Sequence, residues 1–193
     1  MKLFELLTKE EKKQCKLVNI KKDQILFHED EECLSIGIVE KGSIEIVSYT
    51  LSGQEIVYNK INEGEMFGNN LIFSDYPYYK GNVISKRDGK VLLINKASLL
   101  KILQNNSDFL VAYLSYQANF SKELNGKIKL LSLSSAEERL LYFLKEKKRV
   151  AIHSVTDLAK QLYLSREALS RLLTKMQKEG KIIKEGNVLQ VKH

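Results

Sequence analysis

The apolar residues of this chain change period once, at Ser107, and that change divides what the chain can build. From about Lys16 to Ser98, short apolar runs alternate with a period of two. Ile36 and Ile38, Ile44 and Ile46, and Val91 and Leu93 each put alternate side chains on one face of a half-buried strand. Glycine turns punctuate these runs at Lys41-Gly42-Ser43, Ser52-Gly53-Gln54, Glu63-Gly64-Glu65 and Asp88-Gly89-Lys90. Many short strands at such spacing predict a β-sandwich or barrel. Closure hides the strand edges, so the expectation is a β-barrel.

Downstream the period is helical. Ser107 is the expected N-cap of a helix of about six turns, along which Leu110, Leu114, Gln117, Ser121, Leu124, Ile128 and Leu131 follow a 4-3-4-3-4-3 spacing. This stripe is a candidate dimerisation seam, or else it packs inside its own subunit. The helix length favours the dimer, because a long helix after a complete β domain needs something to cover its apolar face. Three shorter helices follow. Ser135-Ala-Glu-Glu138 has the form of a capping box, Ser154-Val-Thr-Asp157 opens a second helix, and Ser165 caps a third carrying Leu169, Leu172, Leu173 and Met176 before Gly180. Ile182-Ile183, the turn Lys184-Glu185-Gly186-Asn187 and Val188 to Val191 then form a hairpin. A helix, two short helices with a tight turn and a hairpin spell a winged helix-turn-helix.

The chain is therefore read as α+β, with a sensor domain over residues 1–106 that includes an N-terminal helix, a dimerisation helix over 107–134 and a winged helix-turn-helix over 135–193. Its 193 residues, 44% of them hydrophobic, suffice for two modest cores. No run of about 18 apolar residues suggests a membrane span, and the charged opening does not resemble a signal peptide. The two cysteines, Cys15 and Cys33, are too few for a secreted disulfide framework, so the expected compartment is the cytoplasm. Charge is uneven. Residues 135–193 hold 13 Lys/Arg against 7 Asp/Glu, whereas residues 1–134 hold 18 against 17. A basic end of this kind suits a polyanion, because lysine and arginine gain affinity by displacing counterions from phosphates.

Burying Leu169, Leu172, Leu173 and Met176 forces Arg166, Glu167, Ser170, Arg171 and Thr174 outward, mostly in the first two turns of their helix. Arginine can donate two parallel hydrogen bonds to guanine, and glutamate can accept from cytosine. Ser154, Ser165 and the helix N-terminus would hold phosphates, positioning the helix without reading sequence. Glu167 and Arg171 are also spaced for a surface ion pair worth about 0.2 to 0.5 kcal/mol. The convergence of capped helices, hairpin and charge favours readout of double-stranded DNA.

Val39-Glu-Lys-Gly-Ser-Ile-Glu-Ile46, Gly64-Glu-Met-Phe-Gly68, Ala136-Glu-Glu-Arg-Leu140 and Leu164-Ser-Arg-Glu-Ala-Leu-Ser-Arg-Leu172 together resemble the Crp/Fnr superfamily, over nearly the whole chain after about Ile20. The resemblance implies a jelly-roll sensor like a cyclic-nucleotide-binding domain, a long dimer helix and a winged helix that binds palindromic promoter sites as a homodimer. Arg166, Glu167 and Arg171 match the base-contacting positions of the cyclic-AMP-binding branch, and Glu167, Ser170 and Arg171 those of the oxygen-responsive branch. Half-sites with a TGA-like core follow, centred roughly 10 bp apart. The resemblance also implies an effector pocket around Gly68, Asn69, Asn70, Tyr79 and Lys80, capped from the dimer helix by Leu124 and Asn125. RNA polymerase is a further partner, although the long loop by which some relatives touch it is missing between Lys148 and Ser154. Tyr163 stands where the helix-turn-helix turn often has Gly or Asn, so a strained or differently shaped turn is expected.

No cofactor is assigned. Asn69, Tyr79 and Lys80 stand where cyclic-nucleotide binders carry a ribose carboxylate and an Arg-Ser pair, and Leu124 and Asn125 replace the Thr-Ser pair over the base. The strongest contacts to cyclic AMP are thereby lost. An iron-sulfur cluster needs four thiolates, and the chain has two cysteines. Haem through His28, or a redox role for Cys15 or Cys33, is a weaker reading than an exposed imidazole and small buried thiols. A metal-dependent cupin enzyme is disfavoured, since His28, His153 and His193 are too scattered for a two-His site. A module that has lost DNA binding is disfavoured by the Arg166, Glu167 and Arg171 face. No catalytic fingerprint is present, so the chain is not read as an enzyme. Calorimetric titration with cyclic AMP should give no affinity of micromolar strength or better.

Overall fold

The computed structural model describes residues 3–152 and 154–192. His153 and His193, two of the three histidines weighed as metal ligands, lie outside them. The first unit ends at Asn119 and the second begins at Phe120, inside one long helix.

In the first unit, β1 (Lys16–Ile20), β2 (Ile25–Phe27), β3 (Ser35–Lys41), β4 (Ser43–Tyr49), β5 (Glu55–Asn62), β6 (Met66–Phe67), β7 (Asn82–Ser85) and β8 (Gly89–Asn95) form two four-stranded sheets. Their orders are β1-β8-β3-β6 and β2-β7-β4-β5, and every pairing is antiparallel. Ile36, Ile38, Ile44, Ile61, Met66, Val83, Val91 and Ile94 are all at most 1% exposed and share one core. The chain passes from one sheet to the other between β3 and β4 through Gly42, whose φ of +100 is open to glycine and costly for other residues.

This jelly-roll sandwich corrects the expectation of a closed barrel. Among the described residues no ladder joins β1 or β6 to β2 or β5, so four edges remain. Two of these edge strands, β2 and β6, are only three and two residues long, too short to carry a ladder round a barrel. Short edges are one way of blunting intermolecular pairing without closure.

The simple inside-outside alternation also fails in β3, where Ile36, Gly37, Ile38 and Val39 are all buried. Leu3 and Leu7 near the N-terminus, and Leu99 and Ile102 of α2 (Lys96–Asn105), belong to the same core and give the inner strands apolar cover on both faces. Gly37 pairs directly with Phe67, and a Cβ built on it would lie 2.1 Å from that ring. The bare backbone lets the ring lie across the strand. The N-terminal α1 (Lys9–Lys13) is held by a reciprocal capping box between Thr8 and Glu11.

The long helix α3 (Ser107–Ser132) starts one residue away from the expected cap. Asn106, not Ser107, accepts from the Phe109 amide at 2.9 Å, while its own amide donates to Leu6 O and Glu11 Oε2, both at 3.0 Å. Asparagine serves here because its side chain can cap α3 and reach the N-terminal segment together.

The second unit contains α4 (Ala136–Lys147), β9 (Arg149–Ala151), α5 (Val155–Gln161), α6 (Arg166–Lys178), β10 (Ile182–Glu185) and β11 (Val188–Val191). Serine caps start all three helices as expected: Ser135 accepts from Glu138 N, Ser154 from Asp157 N and Ser165 from Ala168 N. The hairpin β10-β11 is joined by β9, which pairs Gln190 with Arg149 and fills most of the short connection after α4. Leu130, Leu140, Leu144, Leu158, Leu162, Leu169, Leu173, Met176, Ile182 and Leu189 form its core.

Tyr163, between α5 and α6, has φ 55, the left-handed backbone anticipated from its position. The guanidinium of Arg139 donates to its carbonyl at 3.3 Å.

Two consequences are measurable by denaturant unfolding. Gly37→Ala should destabilise the first unit by about 1 to 3 kcal/mol, because the new methyl overlaps the Phe67 ring. Tyr163→Gly should stabilise the second unit by about 1 kcal/mol, since relief of left-handed strain outweighs the flexibility added to the unfolded chain.

Candidate nucleic-acid interface and sensor turn

Burial decides which face α6 presents. Leu169 and Met176 are fully buried and Leu173 nearly so, whereas Arg166, Glu167, Ser170, Arg171 and Thr174 are exposed. The helix opens at Arg166 with Ser165 Oγ accepting from Ala168 N at 3.1 Å, so Arg166 and Glu167 stand in its first turn, where unpaired backbone amides favour an anion. Thr174 Oγ1 donates back to Ser170 O at 3.1 Å. Glu167 and Arg171, spaced for a mutual ion pair, do not form one. Their charged ends are available to a ligand. Ser154 differs from these residues in being half-buried, with its hydroxyl engaged as the cap of α5.

Not every lysine of this basic unit is free. Glu137 at the start of α4 lies 2.5 Å from Lys181 Nζ and 3.6 Å from Lys175 Nζ, and Glu179 lies 2.8 Å from Lys181. The Lys181 hydrogen bond holds the Glu137 carboxyl below the usual carboxylate range. These exposed pairs add little stability individually. Their effect is to offset the charge of Lys175 and Lys181 at the C-terminal end of α6, while Arg166, Arg171 and Lys178 have no ion-pair partner among the described residues.

In the first unit, Gly68, Asn69 and Tyr79 come together as the resemblance implied, but the protein's own side chains occupy their polar groups. Tyr79 is 1% exposed, stacks on Phe27 at 5.1 Å between ring centroids and lies 3.5 Å from the Cys33 sulfur. The thiol also faces Gly68 O at 3.6 Å and Ser35 O at 3.4 Å. Burial pushes the pKa of the Cys33 thiol and of the Tyr79 phenol up, so both stay protonated near neutral pH. Asn70 and Lys80 are exposed, and Lys80 Nζ sits 4.6 Å from the centroid of the Tyr76 ring. His28 is exposed, and both cysteines are free.

Asn69, 4% exposed, is held by α3. Its amide donates to Gln117 Oε1, and its carbonyl accepts from Gln117 Nε2 at 2.9 Å and from Tyr113 OH at 3.2 Å. Three residues earlier, Tyr116 OH donates to Met66 O at 2.9 Å and accepts from Met66 N at 3.2 Å. Tyr113 and Tyr116 were missed in the sequence. With Phe109 they follow a 4-3 spacing that marks a second stripe on α3, legible once the first is set aside.

Of the expected seam, Leu114, Leu124, Ile128 and Leu131 are 56, 48, 57 and 50% exposed, and Ser121 is exposed too. Leu110 is half-buried, and Gln117 is turned to Asn69. Val111, 63% exposed, joins the apolar stripe although the heptad reading omitted it. Leu124 and Asn125, expected over the effector, are both exposed and belong to the second unit.

Comparison with known proteins agrees with this architecture. Residues 17–106 match the cyclic nucleotide-binding domain family. The chain is 26% identical to the anaerobic regulatory protein of Bacillus subtilis (strain 168), covering 93% of this chain and 79% of that protein. Its fold is similar to that of a CooA mutant from Carboxydothermus hydrogenoformans, with a TM-score of 0.72 and 17% identity over 100% of this chain and 92% of that one. It is also similar to the Thermus thermophilus catabolite activator protein, with a TM-score of 0.57 and 21% identity over 98% and 93% of the two chains. No helix among the described residues is long and apolar enough to cross a membrane. Residues 17–106 thus match the cyclic nucleotide-binding domain family, and the chain as a whole is similar in sequence to a bacterial anaerobic regulatory protein and in fold to regulators of the Crp/Fnr type.

Proposed function

We propose that this protein is a sequence-specific DNA-binding regulator that engages a palindromic promoter site as a homodimer. In this reading residues 135–193 are a winged helix-turn-helix, with α5 and α6 as its two helices and the β10-β11 hairpin as its wing. Residues 1–106 sense an effector, and 107–134 form the dimer helix. The observation that carries the reading is the face of α6: Arg166, Glu167, Ser170, Arg171 and Thr174 stand exposed opposite Leu169, Leu173 and Met176, with the two arginines unpaired among the described residues. Arg171 and Glu167 are one helical turn apart and can address the two bases of a G·C pair in the major groove.

Dimerisation is supported by the exposed apolar side chains along α3, Val111 and Leu114 in the first unit and Leu124, Ile128 and Leu131 in the second, since exposed apolar surface marks an interaction site. A second copy of the same helix supplies a matching stripe, and two-fold symmetry then explains a palindromic site. The sensor works without a cyclic-AMP contact set and without an iron-sulfur cluster, and its effector is unassigned. A DNA-reading role puts the protein in the cytoplasm. Any contact with RNA polymerase uses a surface other than the connection after α4, which β9 largely fills.

Selection of bound duplexes from a random-sequence pool should enrich a palindrome with TGA-like half-sites. Arg171→Ala should abolish that enrichment while retaining salt-sensitive, sequence-blind binding, because one bidentate base contact is worth about 1 to 3 kcal/mol of discrimination. Equal enrichment by both proteins would remove α6 as the reading element.

A further inference from the structure

We infer, on the proposed DNA-reading role of α6, that the first turn of α4 holds that helix at both ends and so sets the angle at which it meets DNA. Arg139 grips the turn before α6, and Glu137 grips the lysines at and after its last turn. All of these residues lie in the second unit.

The motif Ala136-Glu-Glu-Arg-Leu140 opens α4. Leu140 is fully buried in the core of the unit, which anchors α4, and Glu138 closes the capping box with Ser135. Neither task uses Glu137 or Arg139. Arg139 is half-buried and its guanidinium is shared: Nε donates to Leu133 O at 3.2 Å and Nη1 to Tyr163 O at 3.3 Å. A planar fork held at one edge presents its other donors in a fixed direction. Tyr163 has the left-handed φ of 55, and only Leu164 separates it from Ser165, the cap of α6. Where the Tyr163 carbonyl is held, α6 begins.

At the other end, Glu137 meets Lys181 at 2.5 Å and Lys175 at 3.6 Å, and Glu179 meets the same two lysines at 2.8 and 3.7 Å. Lys175 stands in the last turn of α6, and Lys181 lies just past its C-cap Glu179. Glu137 and Arg139 are thus neighbours in one turn of α4, while their partners bracket α6.

Exposed ion pairs of this kind add little to stability. Their use is orientation. Leu169, Leu173 and Met176 seat one face of α6 by non-directional burial, which sets its depth better than its tilt. Hydrogen bonds are directional, so contacts at the two ends supply the tilt. Arg139 and Glu137 are positioning residues, since neither belongs to the exposed face of Arg166, Glu167, Ser170, Arg171 and Thr174.

The two side chains carry opposite charges, which separates positioning from electrostatics. Affinities of the full chain, Arg139→Ala and Glu137→Ala are measured for the selected palindrome and for a random duplex at one salt concentration. Removing Glu137 leaves the unit more basic and should raise affinity for random duplex, whereas removing Arg139 should lower it. The ratio of palindrome to random affinity should nevertheless fall in both, by about tenfold, the effect of a misplaced base contact. A ratio within about twofold of the parent in either variant would overturn the two-ended grip, because a residue that only meets phosphates changes both affinities alike. Should Arg139→Ala not fold, Arg139→Lys keeps the charge without the fork and is held to the same criterion. If the parent has no sequence preference, the DNA reading fails, and amide hydrogen exchange decides the grip. Faster exchange across 164–169 in Arg139→Ala and across 175–182 in Glu137→Ala supports it, and unchanged exchange in those segments overturns it.

Discussion

Phe109 and Tyr113, 0 and 4% exposed, seat the first turns of α3 in the sandwich core, and that seat governs what the helix can do farther along. Full burial of a large apolar side chain contributes about 1.5 to 3 kcal/mol, more than any exposed contact of this helix supplies. At 3.6 residues per turn, fixing Phe109, Tyr113 and Tyr116 against the sheets puts Val111 and Leu114 on the opposite side. The exposure of Val111 and Leu114 is therefore a geometric consequence of the buried stripe. Gln117 lies at the flank between them, where a side chain can still reach back to the turn after β6.

The same logic operates in the second unit with a different outcome. Leu169, Leu173 and Met176 are buried with Leu140, Leu144, Leu158 and Leu189, and the opposite face of α6 is polar along its first two turns. Hydrophobic burial is non-directional, so it cannot by itself choose what an exposed side chain meets. It does choose which side chains are available. Charge pairing refines that choice, because Glu137 and Glu179 engage Lys175 and Lys181, while Arg166 and Arg171 have no ion-pair partner among the described residues. The N-cap at Ser165 ends the turn after Tyr163 and sets where the first arginine stands.

Several features were legible in the residues because their causes are local. A serine followed three residues later by an acidic residue caps its helix through contacts within one turn, and Ser135 and Ser154 behave accordingly. The β10-β11 hairpin follows from two apolar runs about a Gly-Asn turn, and the left-handed backbone of Tyr163 from its position between two helices. Other features were illegible because distant partners decide them. Helix α2 was absorbed into the β region, although its Asn95 cap and the spacing of Leu99, Ile102 and Leu103 were present. Strand β9 has three residues and no period of its own, and exists because β11 offers it an edge. Asn106 displaced Ser107 as the cap of α3 because it also bonds to Leu6 and Glu11, about a hundred residues earlier.

By itself the sequence determined the kinds of element, the order in which they occur and the outward face of α6, since periodicity and capping act over a few residues. Tertiary structure decided that the strands form two open sheets instead of a barrel, and that Gln117 faces the Gly68-Asn69 turn while Leu114 and Ser121 remain exposed. Those outcomes depend on which edges meet and on which buried polar groups find partners. Such pairings join residues tens of positions apart, and no local pattern encodes them.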